Sequence, residues 1–98
     1  MHTLVDAFAH HLGGERGFSE NTVRSYRSDL LGLAEFAGGR DLDLELLRDW
    51  LWAASEQGLA KTTIARRSAA ARAFGAWLAR TGQVAADPAV PMHSRIMV

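Results

Sequence analysis

Apolar residues recur along this chain at spacings of three and four, and glycines break the recurrence into four blocks. No stretch alternates with period two for long enough to make a strand, so the pattern predicts an all-α fold. The first block, Leu4 to Leu12, places Leu4, Val5, Phe8 and Leu12 on one face. Thr3 stands where an N-cap would be, Asp6 falls in the expected first turn, and Gly13-Gly14 mark the stop.

The second block opens at Ser19, a hydroxyl placed to accept from first-turn amides, with Phe18 set to staple onto Val23. Val23, Tyr26, Leu30, Leu33 and Ala37 make its apolar stripe. Asn21, Arg24, Ser25 and Ser28 lie across from it, and Gly38-Gly39 end it. The third block starts at Asp43 as N-cap and runs to about Gln57, with Leu44, Leu47, Leu51 and Ala54 as its expected inner stripe. Neighbours on a helix diverge by about 100°, so Trp50 and Trp52 do not share one core. The fourth block begins near Thr62, as cap, and continues to Arg80 or Thr81 before Gly82. Ile64, Ala71, Phe74 and Leu78 form its core line, with Ser68 and Gly75 close beside. Thr62, Arg66, Ala69, Ala73 and Arg80 take the far side, and Lys61 and Arg72 share a flank.

Beyond Gly82, the segment with Val84, Asp87-Pro88 and Pro91 reads as linker. Residues 92–98 have no periodicity. A short fifth helix, a tail reaching a neighbour, and residues foreign to the domain all stay open for them.

Composition and charge narrow the function. At 98 residues, 48% apolar and 22% charged, the chain has the balance of one small globular domain. It holds no cysteine, no apolar run near the roughly 18 residues that span a bilayer, and no basic-then-apolar leader pattern. The expected compartment is the cytoplasm, with no membrane partner. Net charge is zero, yet it is unevenly spread. Residues 61–80 carry Lys61, Arg66, Arg67, Arg72 and Arg80 and no acid, whereas residues 40–60 carry five acids against two arginines. A local cationic stripe is what a polyanion feels, although the same residues suit a solvated helix face.

Enzymatic and metal chemistry find little support. His10 and His11 diverge on a helix and lack a third ligand at helical spacing, so no metal or other cofactor is expected. Asp41 and Asp43 look like a capping cluster, not a catalytic pair. Tyr26, the only tyrosine, falls on the apolar stripe as a packing residue.

Two stretches carry a family resemblance. The first is HHLGGERGFSENTVRSYRSDLLGLAEF, with Ser19-x-Asn21-Thr22, Tyr26 and Asp29-Leu30. The second is GLAKTTIARRSAAARAFGAWLARTGQVAADPA, with Thr63, Arg66-Arg67, Arg72-x-Phe74, Trp77-Leu78, Gly82 and Asp87-Pro88. In this order and spacing they resemble the N-terminal core-binding domain of Xer-type tyrosine recombinases, in an alanine-rich version. The resemblance implies a SAM-like orthogonal bundle of four helices over residues 1–90, with 91–98 a tail or linker. It also implies one half of a clamp on double-stranded DNA, with the second and fourth helices facing the major groove and nearby phosphates, and other recombinase protomers as partners.

In that frame Arg24, Lys61, Arg66 and Arg72 would neutralise phosphates or read guanine edges, and Asn21 would read adenine. Ser19, Ser25, Thr62 and Thr63 would hold phosphate oxygens, with Thr22 and Ser28 on the same face. Arg67, nearer the core side, would cover apolar surface or pair with an acid such as Asp29. The family often has leucines where Ser68 and Ala71 stand and an aromatic where Gly75 stands, so the core is expected to be either lighter or filled from elsewhere by Trp77 or Trp52. The family's tyrosine, arginine, lysine and histidine machinery belongs to a C-terminal domain, and this chain alone is expected not to cut DNA.

Two other classes stay open. One is a helical protein–protein module with Trp50, Trp52 and Trp77 as an exposed patch. The other is a helix-turn-helix regulator reading from Lys61 through Arg66 after a short Gly58-to-Thr62 turn.

Overall fold

The computed structural model describes residues 1–90, and four helices follow in order: α1 His2–Gly14, α2 Glu20–Ala37, α3 Leu44–Glu56 and α4 Lys61–Arg80. The all-α expectation holds among the described residues. The segment from 91 to 98, where the fifth helix or tail was expected, lies outside them.

Local chemistry explains most boundaries. Ser19 caps α2, its Oγ accepting from the Thr22 amide at 3.2 Å, and Asp43 caps α3 by accepting from the Leu46 amide at 2.8 Å. Gly58 and Gly82 end α3 and α4 with φ of 77° and 76°, a region that side chains with a Cβ avoid. Each sets up the paired bonds of a Schellman close. Leu59 and Gly58 amides donate to Ala54 and Ser55 carbonyls, and Gln83 and Gly82 amides donate to Leu78 and Ala79.

Three boundaries differ from expectation. Thr3 is not the cap of α1, because the helix begins at His2 with Met1 before it. The Met1 carbonyl accepts from the Val5 amide at 3.0 Å, and the Met1 side chain packs on the core, so the helix starts two residues earlier. Asp6 therefore lies past the first turn and instead meets Arg27 of α2 at 2.8 Å. Thr62 is not a cap either, since α4 starts at Lys61 behind extended Ala60, which offers no side-chain acceptor. The Gly13-Gly14 stop falls slightly later, with Gly14 still helical.

Helices α2 and α4 each pack against the other three, so they form the centre, with α1 and α3 flanking. The core gathers Val5, Phe8 and Leu12, then Leu30, Leu33 and Ala37, then Leu46, Leu47 and Trp50, and finally Ala70, Ala71, Phe74, Trp77 and Leu78. The inner stripe of α3 is rotated from the expected one. Leu46 and Trp50 are buried beside Leu47 and Ala54, while Leu44 and Leu51 are half-buried flanks. The large indole of Trp50 turns that face inward. In α4, Ile64 lies before the densest part of the core and is also half-buried.

Trp77 is 9% exposed and Trp50 3%, whereas Trp52 is 67% exposed. The expected three-tryptophan patch does not exist, since two of its members are core. Trp77 rather than Trp52 fills the space left by small residues on α4. Phe8 lies 5.4 Å from both Phe74 and Trp77, and Phe74 stacks on Trp77 at 6.3 Å, measured between ring centroids.

Gly75 has a specific reason to be glycine. After Gly82 the chain folds back so that Ala89 is fully buried against α4. Asp87 Oδ1 accepts from the Ala89 amide at 2.8 Å and closes this turn. A Cβ on Gly75 would sit 2.5 Å from Asp87 Oδ1 and 3.2 Å from Ala89 Cβ. An aromatic at position 75 and this exit turn exclude each other.

Gly75→Ala is expected to destabilise the domain by about 1–3 kcal/mol through overpacking, read by urea denaturation. Gly32→Ala, in mid-α2 with nothing within 4 Å of the added Cβ, is expected to stabilise it by about 0.5–1 kcal/mol.

Candidate nucleic-acid interface

The surface where the two central helices meet carries the site. Asn21, Thr22, Ser25 and Tyr26 of α2 and Arg66 of α4 line one open groove of about 320 Å³. Four of these were expected as DNA contacts. The fifth, Tyr26, sits half-buried with its ring edge-on to Phe18 at 6.2 Å, a packing residue at the margin of the core.

Beneath the groove lies Asp29, with a side chain only 4% exposed. Arg66 grips it side-on, Nε donating to Oδ2 at 2.7 Å and Nη2 to Oδ1 at 2.9 Å. These bonds raise the Arg66 pKa above its ordinary value, the hydrogen bond contributing most and the carboxylate charge next. Arg67 faces the same carboxylate at 3.8 Å, and its guanidinium lies 5.3 Å from the Trp50 ring centroid. The expected pairing of Arg67 with Asp29 is thus only a loose approach, and Arg66 makes the hydrogen bonds. Arg66, expected on the far side of α4, instead turns toward α2, because its long side chain reaches the buried Asp29 carboxylate. One carboxylate shared by two guanidiniums leaves the cluster net positive, and Arg66 remains 43% exposed at the surface.

Other expected contacts are distributed less tightly. Ser19 is occupied as a cap and also donates to Thr22 Oγ1 at 2.9 Å. Arg24 donates to Asn21 Oδ1 at 3.3 Å, which occupies the acceptor that Asn21 would need to read adenine. Ser28, Lys61 and Thr62 are exposed and Thr63 half-buried, none of them in the groove. Arg72 donates to Ser68 Oγ at 3.2 Å, and six residues at 100° each turn it roughly 120° away from Arg66 around α4.

Asp29 is the residue that sequence reasoning undervalued. A charged side chain between Tyr26 and Leu33, on the apolar stripe of α2, signals a buried partner. Among the described residues no three His, Asp or Glu side chains gather as a metal site, and no helix is long and apolar enough to cross a membrane. His11 sits in the aromatic cluster, 6.1 Å from the Trp77 centroid, with Nδ1 3.3 Å from Glu15.

The family described as "Phage integrase, N-terminal SAM-like domain" matches residues 5–82. The chain belongs to this family. Among the relatives of this SAM-like domain is a "Tyrosine recombinase XerC" of Mycobacterium sp. (strain KMS), 43% identical over 95% of this chain. Proteins of the same description from Mycobacterium leprae and Corynebacterium glutamicum are 45% and 40% identical, over 92% and 96% of the chain. The chain spans about a third of the length of these curated relatives. No solved structure matches it.

Breaking the buried ion pair should cost more than breaking an exposed one. Asp29→Ala is expected to lose about 2–3 kcal/mol of stability, somewhat below a fully buried pair because Arg66 stays partly hydrated. Asp6→Ala, which frees the exposed Arg27, should lose no more than about 1 kcal/mol. Chemical denaturation of both variants checks the contrast.

Proposed function

We propose that this SAM-like domain binds double-stranded DNA through the α2/α4 face, as the N-terminal DNA-holding part of a tyrosine recombinase. The observation that carries the reading is the convergence of Asn21, Thr22, Ser25 and Arg66 in one groove between the two central helices. Hydroxyl, amide and guanidinium donors in one concavity, above a net positive cluster, suit a polyanion. Lys61 extends the field from the start of α4, and Arg24 and Arg72 extend it along the two helix flanks.

The relatives carry the name of a recombinase, which supports a role in site-specific DNA recombination or integration. Other recombinase protomers are the protein partners that go with this role, and the cytoplasm is its compartment. Strand cleavage is not assigned to these residues, since Tyr26 is engaged in packing at the groove wall.

A fluorescence-anisotropy titration against a duplex of about 30 base pairs tests the reading. The domain should bind with a Kd of about 10⁻⁴–10⁻⁶ M, weakening as salt rises by about 0.9 log units per log unit for each phosphate contacted. Arg66→Ala combined with Lys61→Ala should weaken binding about tenfold or more and flatten the salt dependence. Absence of salt-sensitive binding at low ionic strength and high protein concentration would end this assignment.

A further inference from the structure

A guanidinium has five N–H donors in a planar fork. The side-on grip of Asp29 uses Nε–H and one hydrogen of Nη2 of Arg66. Both hydrogens of Nη1 and the second of Nη2 stay outside that grip, on a side chain that lines the groove. The carboxylate is itself buried, and Arg67, whose guanidinium lies over the Trp50 ring, approaches its Oδ1 at 3.8 Å. The two hydrogen bonds to this buried carboxylate therefore set the orientation of Arg66 before any ligand arrives. The rotamer entropy of a long arginine is then lost on folding and not on binding.

The rest of the lining is suited to one kind of group. Ser25 and Thr22 bring hydroxyls. Asn21 has its oxygen engaged by Arg24 and keeps its amide hydrogens to donate. The lining holds no carboxylate. A concave seat of donors fits a protruding tetrahedral anion better than the flat edge of a base pair.

Resting on the DNA reading above, we infer that this groove seats one backbone phosphate of the duplex, and that Asp29 is the positioning residue that prepares Arg66 for it without touching DNA. The consequence runs against simple charge. Asp29→Asn makes the domain one unit more positive, yet binding should weaken because the fork is no longer held.

The test uses anisotropy titrations of the 98-residue chain on a random-sequence duplex of about 30 base pairs, with folding of each variant checked by thermal melting. Asp29→Asn should bind about tenfold more weakly than the unaltered chain, the scale of losing a charge-assisted bidentate contact. Asp6→Asn, which removes an exposed acid elsewhere, should bind equally or more tightly. Arg66→Lys keeps the charge and loses the fork, so it should weaken binding about fivefold with an unchanged salt slope. A second duplex with 7-deazaguanine in place of every guanine removes the N7 acceptors, and the Arg66→Lys penalty should be the same on it.

A folded Asp29→Asn variant that binds as tightly as the unaltered chain, or more so, overturns the positioning role. Should that variant fail to fold, equal affinity of Arg66→Lys overturns the seat. A penalty that vanishes on the 7-deazaguanine duplex makes Arg66 a base reader and also overturns the seat. Failure of the unaltered chain to bind either duplex is a different outcome, since it removes the DNA reading and this inference together.

Discussion

A carboxylate inside a helical bundle is costly unless cations meet it. Asp29 stands on the inward stripe of α2, so α2 and α4 can dock only where Arg66 and Arg67 reach it. Apolar contact alone tolerates sliding of one helix along another, because leucine and alanine surfaces match in several registers. A charged contact with bidentate geometry is far less tolerant. The third helix joins the same constraint through Trp50, whose indole supports Arg67. One acid thus couples three of the four helices.

The domain divides its work along α4. Near the C-terminal half, Phe74, Trp77 and Leu78 join Phe8 and Leu12 in a dense aromatic and aliphatic core. That burial stabilises the fold by the removal of apolar surface from water. Near the N-terminal half, the interior gives way to the Asp29 cluster and then to the donor-lined groove. Burial at one end lets the other end be polar.

Much of this was legible from local signals. Ser19 and Asp43 announce helix starts because their side chains act within one turn, and Gly58 and Gly82 announce ends because the backbone itself demands them. The family resemblance and the groove residues on α2 were readable too. What failed was the direction of large or long side chains. A helical wheel reports where Cβ points, and Arg66 points to the flank of α4 while its guanidinium returns to Asp29. Trp50 shows the same limit, since its size rotated the inner face of α3 away from the leucine stripe the spacing favoured. Thr3 and Thr62 look like caps in isolation. They are not, because Met1 and Ala60 let their helices begin two residues earlier.

The turn at Asp87 and Ala89 has a consequence for how the sequence can change over time. Alanine is the commonest residue on α4 and the cheapest to introduce there. Position 75 penalises it while Asp87 and Ala89 stand where they do. A side chain gained at 75 carries a stability cost while the exit turn is docked, so releasing the turn first is the less costly order. Bulk at 75 and this buried turn are then alternative ways to close the same end of the domain, and glycine with an undocked turn is the low-cost step between them.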